Sequence, residues 1–344
     1  MPATITDVAT LAGVSPATVT RVLQGSPRVS PDTLERVKAA MAELDYRPSS
    51  VARSLRQQRT GTLGLIVTDV NNPFYPEIVR GAEDTARELG DSIILCNAAE
   101  DPEREIAYLD LLLERRVDGI IVAAGGLTKR HEDLLAAFPA PLVLINASLG
   151  RGLVPAILSD DEAGGRAAAQ HLIGLGHRQL VHICGPASGS TSERLAGVRA
   201  AVAAAPGEVT LEVLEGDGYS AGGAAARQVA ARLRPPYAIT AHNDLIAVGV
   251  MHALFDLGIR VSQDVSVVGF DDIALAAYVN PGLTTIAQDK FGMGRLAVEI
   301  ISRLRAGEAI RGNYVLPVRL VVRGSTGPAA GAGARQTAAL ARRR

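Results

Sequence analysis

Two cysteines in 344 residues, Cys96 and Cys184, are too few for a disulfide framework, and each sits inside an apolar strand-like run. No apolar stretch reaches the length a membrane span needs. Met1-Pro2-Ala3-Thr4 is followed by acidic Asp7, where a secretory leader would place a basic stretch and an apolar block. A cytoplasmic protein without a membrane partner is the expectation. Catalytic signatures are missing too. No Gly-x-Gly-x-x-Gly or Walker loop follows a strand-like run, no serine lies in a Gly-x-Ser-x-Gly elbow, and no nucleophile stands at a recognisable spacing from a base. The six histidines (His131, His171, His177, His182, His242, His252) show no metal-ligand spacing with cysteine. Neither catalysis, cofactor nor metal is expected, and His177, in a loop before a strand, reads as structural.

What is present is globular: 47% hydrophobic and 21% charged residues, in a chain long enough for two or three domains. The net charge of −1 conceals an asymmetry. Residues 1–60 carry eight basic groups against five acidic ones, a net of +3, which leaves −4 for the rest. Four arginines and no acid lie between Tyr46 and Arg59. Positive charge gathered at one end suggests a polyanionic partner for that end alone.

Thr4 can cap a helix whose first turn holds Asp7, with Val8, Ala9, Leu11 and Ala12 as its apolar face. Gly13 suits the left-handed turn residue that ends it. Ser15-Pro16 restarts a helix, Ser capping and Pro at the first position, with Val19, Val22 and Leu23 at core spacing. Ser30-Pro31 starts a third, from Asp32 to about Leu44, with Leu34, Val37, Met41 and Leu44 on one face. Two short helices about a glycine turn, closed by a third, describe a helix-turn-helix DNA reader whose second helix presents Pro16, Ala17, Thr18, Thr20 and Arg21 outward. An arginine there can bond guanine O6 and N7 together, and small apolar groups can touch a thymine methyl. Ser49 to Arg56 reads as a further short helix, with Val51, Ala52 and Leu55 on one side. Alone in water it is too short to persist. Leu55 among arginines fits a wedge in a minor groove.

Asp7-Val8-Ala9, Ala12-Gly13-Val14-Ser15, Thr18-Val19, Arg21-Val22, Val29-Ser30 and Val51-Ala52-Arg53-Ser54-Leu55 resemble the head and hinge of the lactose-repressor family of bacterial transcription regulators. The candidate DNA-binding residues are Thr4, Ser15, Pro16, Ala17, Thr18, Thr20, Arg21 and Ser30 in the head, with Ser49, Ala52, Arg53, Leu55 and Arg56 in the hinge.

From Leu63 onward apolar strand runs alternate with amphipathic helices in two series, Leu63–Thr68 to Leu142–Ile145 and Gln179–Cys184 to Val265–Phe270. Alternation of this kind predicts an α/β core of two lobes, each a parallel sheet with helices on both faces. Ligands of open α/β sheets sit beyond the strand C-terminal ends. Those ends hold Thr68, Asn72, Asn146, Ser190, Arg194, Asn243, Asp244, Asp271 and Gln288, with Phe74 and Tyr75 able to stack. Polar groups from both lobes fit a small polyhydroxylated ligand.

The family resemblance extends over about residues 3–325 through Asn72-Pro73-Phe74-Tyr75, Arg194-Leu195-Ala196-Gly197, Asn243-Asp244 and Val268-Gly269-Phe270-Asp271-Asp272. It implies a periplasmic-binding-protein-like effector core, most similar to the ribose-binding kind. The resemblance makes Thr68, Asn72, Phe74, Tyr75, Arg194, Asn243, Asp271 and Gln288 ligand contacts. One position departs from that pattern: after Gly216-Asp217 many relatives carry an aromatic, and this chain has Gly218, with Tyr219 one place late.

The expected organisation is a head (1–46), a hinge (47–60), a two-lobed core (61–325) and a disordered tail (326–344). The expected activity is repression of a carbohydrate-use operon, with palindromic double-stranded operator DNA, a sugar-like effector and a second copy of the chain as partners. A purine-type effector, or a sugar receptor with no DNA role, are the alternatives.

Overall fold

The computed structural model describes every residue except 1–2, 24–25, 47–58, 124–128, 150–151, 153 and 330–344. The chain divides at Gly61 into an N-terminal unit and a larger one beginning at Thr62.

In the N-terminal unit three helices span Ile5–Ala12, Pro16–Leu23 and Pro31–Glu43. Each starts at a hydroxyl cap. Thr4 and Asp7 form a reciprocal box, Thr4 N donating to Asp7 Oδ2 at 2.8 Å and Asp7 N to Thr4 Oγ1 at 3.3 Å. Thr18 N donates to Ser15 Oγ at 3.2 Å, and Thr33 N to Ser30 Oγ at 3.3 Å. Gly13 ends the first helix at φ 62°, which brings Val14 N onto Ala9 O at 2.9 Å. Helices of 8 to 13 residues do not persist singly, so their stability comes from the shared core of Val8, Ala9, Ala12, Val19, Val37 and Ala40. Leu11 and Leu23, expected in that core, are 46% and 38% exposed. Their helices are too short and the core too small to enclose a second apolar row.

The larger unit holds two six-stranded sheets. The N-terminal lobe is built from β1 (Thr62–Val67), β2 (Ser92–Asn97), β3 (Ile120–Ala123), β4 (Leu142–Ile145), β5 (Ala156–Ser159) and β11 (Asn313–Leu316). Its strands are all parallel, in the order β11-β5-β4-β3-β1-β2. The C-terminal lobe is built from β6 (Gln179–Cys184), β7 (Thr210–Glu215), β8 (Tyr237–Ala241), β9 (Val265–Asp271), β10 (Thr284–Ala287) and β12 (Arg319–Val321). The order there is β12-β10-β9-β8-β6-β7, parallel but for β12. Alternation along the strands feeds a core on each face. Leu63, Leu65 and Val67 of β1 meet the helices Phe74–Glu88 and Lys290–Arg305, while Ile66 faces Leu109 and Leu112 on the opposite side.

The chain passes between lobes three times: after β5 into the helix Asp161–Gly174, after β10 into the helix Lys290–Arg305, and from β11 to β12. The expected series therefore lacked four strands, and the last long helix packs in the N-terminal lobe. The core also runs past residue 325. His171 Nε2 and Thr326 Oγ1 are 2.9 Å apart, and Ala329 N donates to Leu175 O. Residues 330–344 of the expected tail lie outside the described residues. Among the described residues no helix is long and apolar enough to cross a membrane.

Candidate nucleic-acid interface and effector cleft

The second head helix carries Pro16, Ala17 and Arg21 exposed, with Thr18 and Thr20 half-buried beside them. No described acid pairs with Arg21, so its guanidinium is free to bond a base edge. Thr4, Ser15 and Ser30 are exposed and occupied as helix caps, which sets backbone N–H groups at three helix starts toward solvent. The hinge candidates Ser49, Ala52, Arg53, Leu55 and Arg56 lie outside the described residues.

In the larger unit, loops at the strand C-terminal ends of both lobes enclose a cavity of about 110 Å³. From the N-terminal lobe come Thr68, Asn72, Phe74, Tyr75, Glu100 and Asn146. From the C-terminal lobe come Pro186, Ser188, Ser190, Arg194, Asp217, His242, Asn243 and Asp271. A second compartment shares Asn146, Ser188 and Ser190 with it and adds Glu132, Asp161 and Glu193. Nine of the eleven residues that the sequence places at the strand ends thus line one cavity, Gln288 and Asp244 being the exceptions. Gln288 stands behind Asp271, donating through Nε2 to Asp271 Oδ1 at 2.6 Å and accepting from Ser159 Oγ at 2.5 Å. Asp244 is fully buried and accepts from Ile273 N and Thr285 Oγ1, a structural role.

Arg194 is fixed from below and above. Gly165 and Gly197 let two helices touch backbone to backbone; a Cβ on Gly165 would stand 2.1 Å from Arg194 O, and one on Gly197 2.0 Å from Glu162 O. The guanidinium lies 3.7 Å over the Phe270 ring, donates from Nε to Asp161 Oδ1 at 2.7 Å and from Nη1 to His242 O at 2.6 Å, and stands 3.7 Å from Asp271 Oδ1. Burial pushes the Asp161 and Asp271 carboxyls up, and the Arg194 charge opposes it in both. His242 is pulled well below the ordinary imidazole value, first by burial and then by the Arg194 and His182 charges, so its ring is neutral. Its ring fits because Gly185 has no side chain: a Cβ there would lie 2.3 Å from His242 Cδ2.

Asp271 ends β9 and Asp272 follows it, at φ 115° and 53°, left-handed values unusual for side-chain-bearing residues. Lys290 holds them there. It is 3% exposed, and its ammonium donates to Asp271 O at 2.5 Å and Asp272 O at 2.9 Å, with Glu77 Oε1 at 3.6 Å. A lysine on an N-terminal-lobe helix thereby sets the backbone beneath a cleft residue of the other lobe.

Sequence reasoning missed Glu100, Pro186, Ser188, Asp217 and His242. Two of them, Asp217 and His242, adjoin positions it discussed. Gly218 takes φ 66°, and Tyr219 points away, its ring centroid 6.0 Å from His252. Phe74 and Tyr75, edge to face at 5.3 Å, are the aromatic wall, and no Phe or Tyr of the C-terminal lobe lines the cavity.

Residues 4–49 match the family model of bacterial regulatory proteins of the lacI family, and residues 169–326 that of a periplasmic binding protein-like domain. The ribose operon repressor of Escherichia coli (strain K12) is 37% identical over 303 residues, 87% of this chain and 92% of that protein. The HTH-type transcriptional repressor PurR of Photobacterium profundum is 37% identical over 329 residues, 94% of this chain and 98% of its own. Among solved structures, the lac repressor dimer bound to operator and the anti-inducer ONPF superposes with a TM-score of 0.86 at 33% identity, covering 95% of this chain and 100% of that one.

Proposed function

The chain belongs to the lacI family of bacterial regulatory proteins, and from that membership we propose a repressor of transcription that binds a palindromic operator and is controlled by a sugar-like effector in the interlobe cleft. The observation that carries the reading is the pairing of two sites in one chain. A helix with unpaired Arg21 among small side chains serves base readout, and a cleft walled by polar groups from both lobes serves a polyhydroxylated ligand. We assign base contacts to Pro16, Ala17 and Arg21, and phosphate contacts to the capped helix starts at Thr4, Ser15 and Ser30. Ser49 to Arg56 is assigned a hinge role that ends with Leu55 in the minor groove. No catalytic step is assigned to the cleft.

Two heads must meet two half-sites, so the working unit is a homodimer. Phe255 and Tyr278 are 80% and 84% exposed on the C-terminal lobe, and edge strand β2 exposes Ile94 and Leu95. Apolar side chains left in water on both lobes supply the surface a second copy would cover. A purine-type effector is the second reading, favoured by the likeness to PurR. A flat base would stack on Phe74, but the C-terminal lobe offers no Phe or Tyr for its other face.

Selection of binding sites from random DNA with the full chain tests the reading. A palindrome should emerge, with affinity falling steeply with salt, and Arg21→Ala should cost about 1–3 kcal/mol and relax preference at one position. A pool that stays random after selection would refute it.

A further inference from the structure

We propose that the helices Phe74–Glu88 and Lys290–Arg305 form one strut that carries the state of the cleft to Thr62, where the chain enters the larger unit. Arg305 is the positioning residue that fastens its far end. The inference rests on the reading of the cleft as the effector site and adds the route by which that site acts.

Both helices start at the cleft. Phe74 and Tyr75, the first residues of one, line the cavity. Lys290, the first residue of the other, donates to the carbonyls of Asp271 and Asp272 at 2.5 and 2.9 Å and so grips the C-terminal lobe. Its ammonium also stands 3.6 Å from Glu77 Oε1 on the first helix. Further along, the two helices touch backbone to backbone. A Cβ on Gly81 would lie 2.1 Å from Phe291 O, and one on Gly294 2.0 Å from Ile78 O. No side chain stands between them there to rotate or yield, so a displacement at one end reaches the other.

The far ends meet at a buried ion cluster. The helix Lys290–Arg305 has 16 residues, which puts its ends about 24 Å apart. Arg305 Nη2 donates to Asp91 Oδ2 at 2.5 Å, and Nη1 stands 3.7 Å from Asp118 Oδ2. None of the three side chains is more than 10% exposed. Asp91 N donates to Ala86 O in the last turn of the first helix, and Asp118 N donates to Thr62 O at 2.8 Å. Ser92, next to Asp91, pairs in register with Thr62. One guanidinium thus ties both helix ends to the first residue of β1, which directly follows the N-terminal unit at Gly61.

This fastening has two settings. Arg305 Nε has no acceptor among the described residues, and Nη1 stops short of hydrogen-bond range to Asp118. A shift of the helix end by roughly 0.5–1 Å closes that second bond. Pairing with one acid or with two is a discrete choice, and movement of the lobes at the cleft end can make it.

Lys290→Met, or Lys290→Gln where methionine destabilises the chain, releases the cleft end without any ligand. The readouts are affinity of the full chain for the palindrome selected from random DNA, and hydrogen exchange at the Gly64 and Asp118 amides without DNA. Independent sites this far apart have effects that multiply within about twofold. For a strut, the Lys290 change should alter operator affinity at least about fivefold in the parent and no more than about twofold in Arg305→Met/Asp91→Asn. Asp118→Asn leaves the buried Arg305–Asp91 pair and hence the fold in place, and should also hold the change to about twofold. The exchange rates should follow the same pattern. A pair that merely stabilises would lower the Tm and leave the Lys290 effect equal in all three backgrounds. That result, with the palindrome still bound, overturns the strut and leaves the proposed function standing. A Lys290 change without effect in the parent overturns it as well. A pool with no palindrome would remove the proposed function, and hydrogen exchange alone would then decide whether the two ends are coupled.

Discussion

Arg194→Ala is the substitution whose outcome the structure changes most. From sequence, Arg194 is a ligand contact, and its loss should silence the effector response in a protein otherwise intact. Its surroundings require more. The side chains of Arg194 and Asp161 are each 6% exposed, and removing the cation leaves a buried carboxylate and the His242 carbonyl without their donors. Breaking a buried pair from one side costs about 3–5 kcal/mol, because the remaining charge stays desolvated and alone. Loss of the stack on Phe270 adds to that. At about 2–4 °C per kcal/mol for domains of this order, the core's Tm should drop on the order of 10 °C. The assay is a thermal melt of the full chain, followed by urea titration to show an unchanged slope. Arg194→Met/Asp161→Asn, which removes both charges and keeps most of the volume, should recover more than half the loss. A melt within about 2 °C of the parent for Arg194→Ala would refute the reasoning, and Arg194 would then be a ligand contact held by nothing.

His182 gives a pH prediction. Burial, then the Arg194 and Arg199 charges, bring its pKa down to about 4 from the ordinary 6.5. The unfolded chain therefore takes up a proton between those values that the folded chain refuses, so stability is full above pH 6.5 and is lost as pH falls toward 4, by up to about 3 kcal/mol. Urea midpoints at pH 7 and pH 5 should diverge less for His182→Gln, and an unchanged divergence would assign the slope elsewhere. Phe255→Asp/Tyr278→Asp should convert the dimer to monomer in sedimentation and weaken operator binding at least about tenfold, because two half-sites are no longer linked. A dimer that survives the change would place the interface on another face.

The head was readable because its determinants are local. Hydroxyl caps at Thr4, Ser15 and Ser30 and the turn at Gly13 are each decided within a few residues. The cleft residues were readable where a polar group directly follows an apolar strand, as at Thr68 and Asn146, or caps the next helix, as at Asn243. Long-range pairing was not. β11 and β12 have four and three residues with no continuous burial, and nothing in their sequence says that one completes the first sheet and the other the second. Glu100 was missed because its place depends on left-handed φ at two non-glycine residues, which composition does not announce. Gln288 was assigned one layer too far forward, since register alone cannot tell a wall from what stands behind it.

The three passages between lobes bear on the order in which the protein is made. The N-terminal lobe takes its last strand from Asn313–Leu316 and part of its core from Lys290–Arg305, so residues synthesised early wait for those synthesised almost last. The C-terminal lobe is closed by Arg319–Val321, only a few residues later. Neither lobe is finished on the ribosome ahead of the other, whereas the head closes its own core within its first 46 residues. A message cut short just before Asn313 would yield a chain with a folded DNA reader and two open sheets. Such a product keeps every residue of the cleft and of the exposed apolar surface, but carries them on two sheets that each lack an edge strand, and no recombination at a single point in the gene can exchange one lobe and leave the other whole.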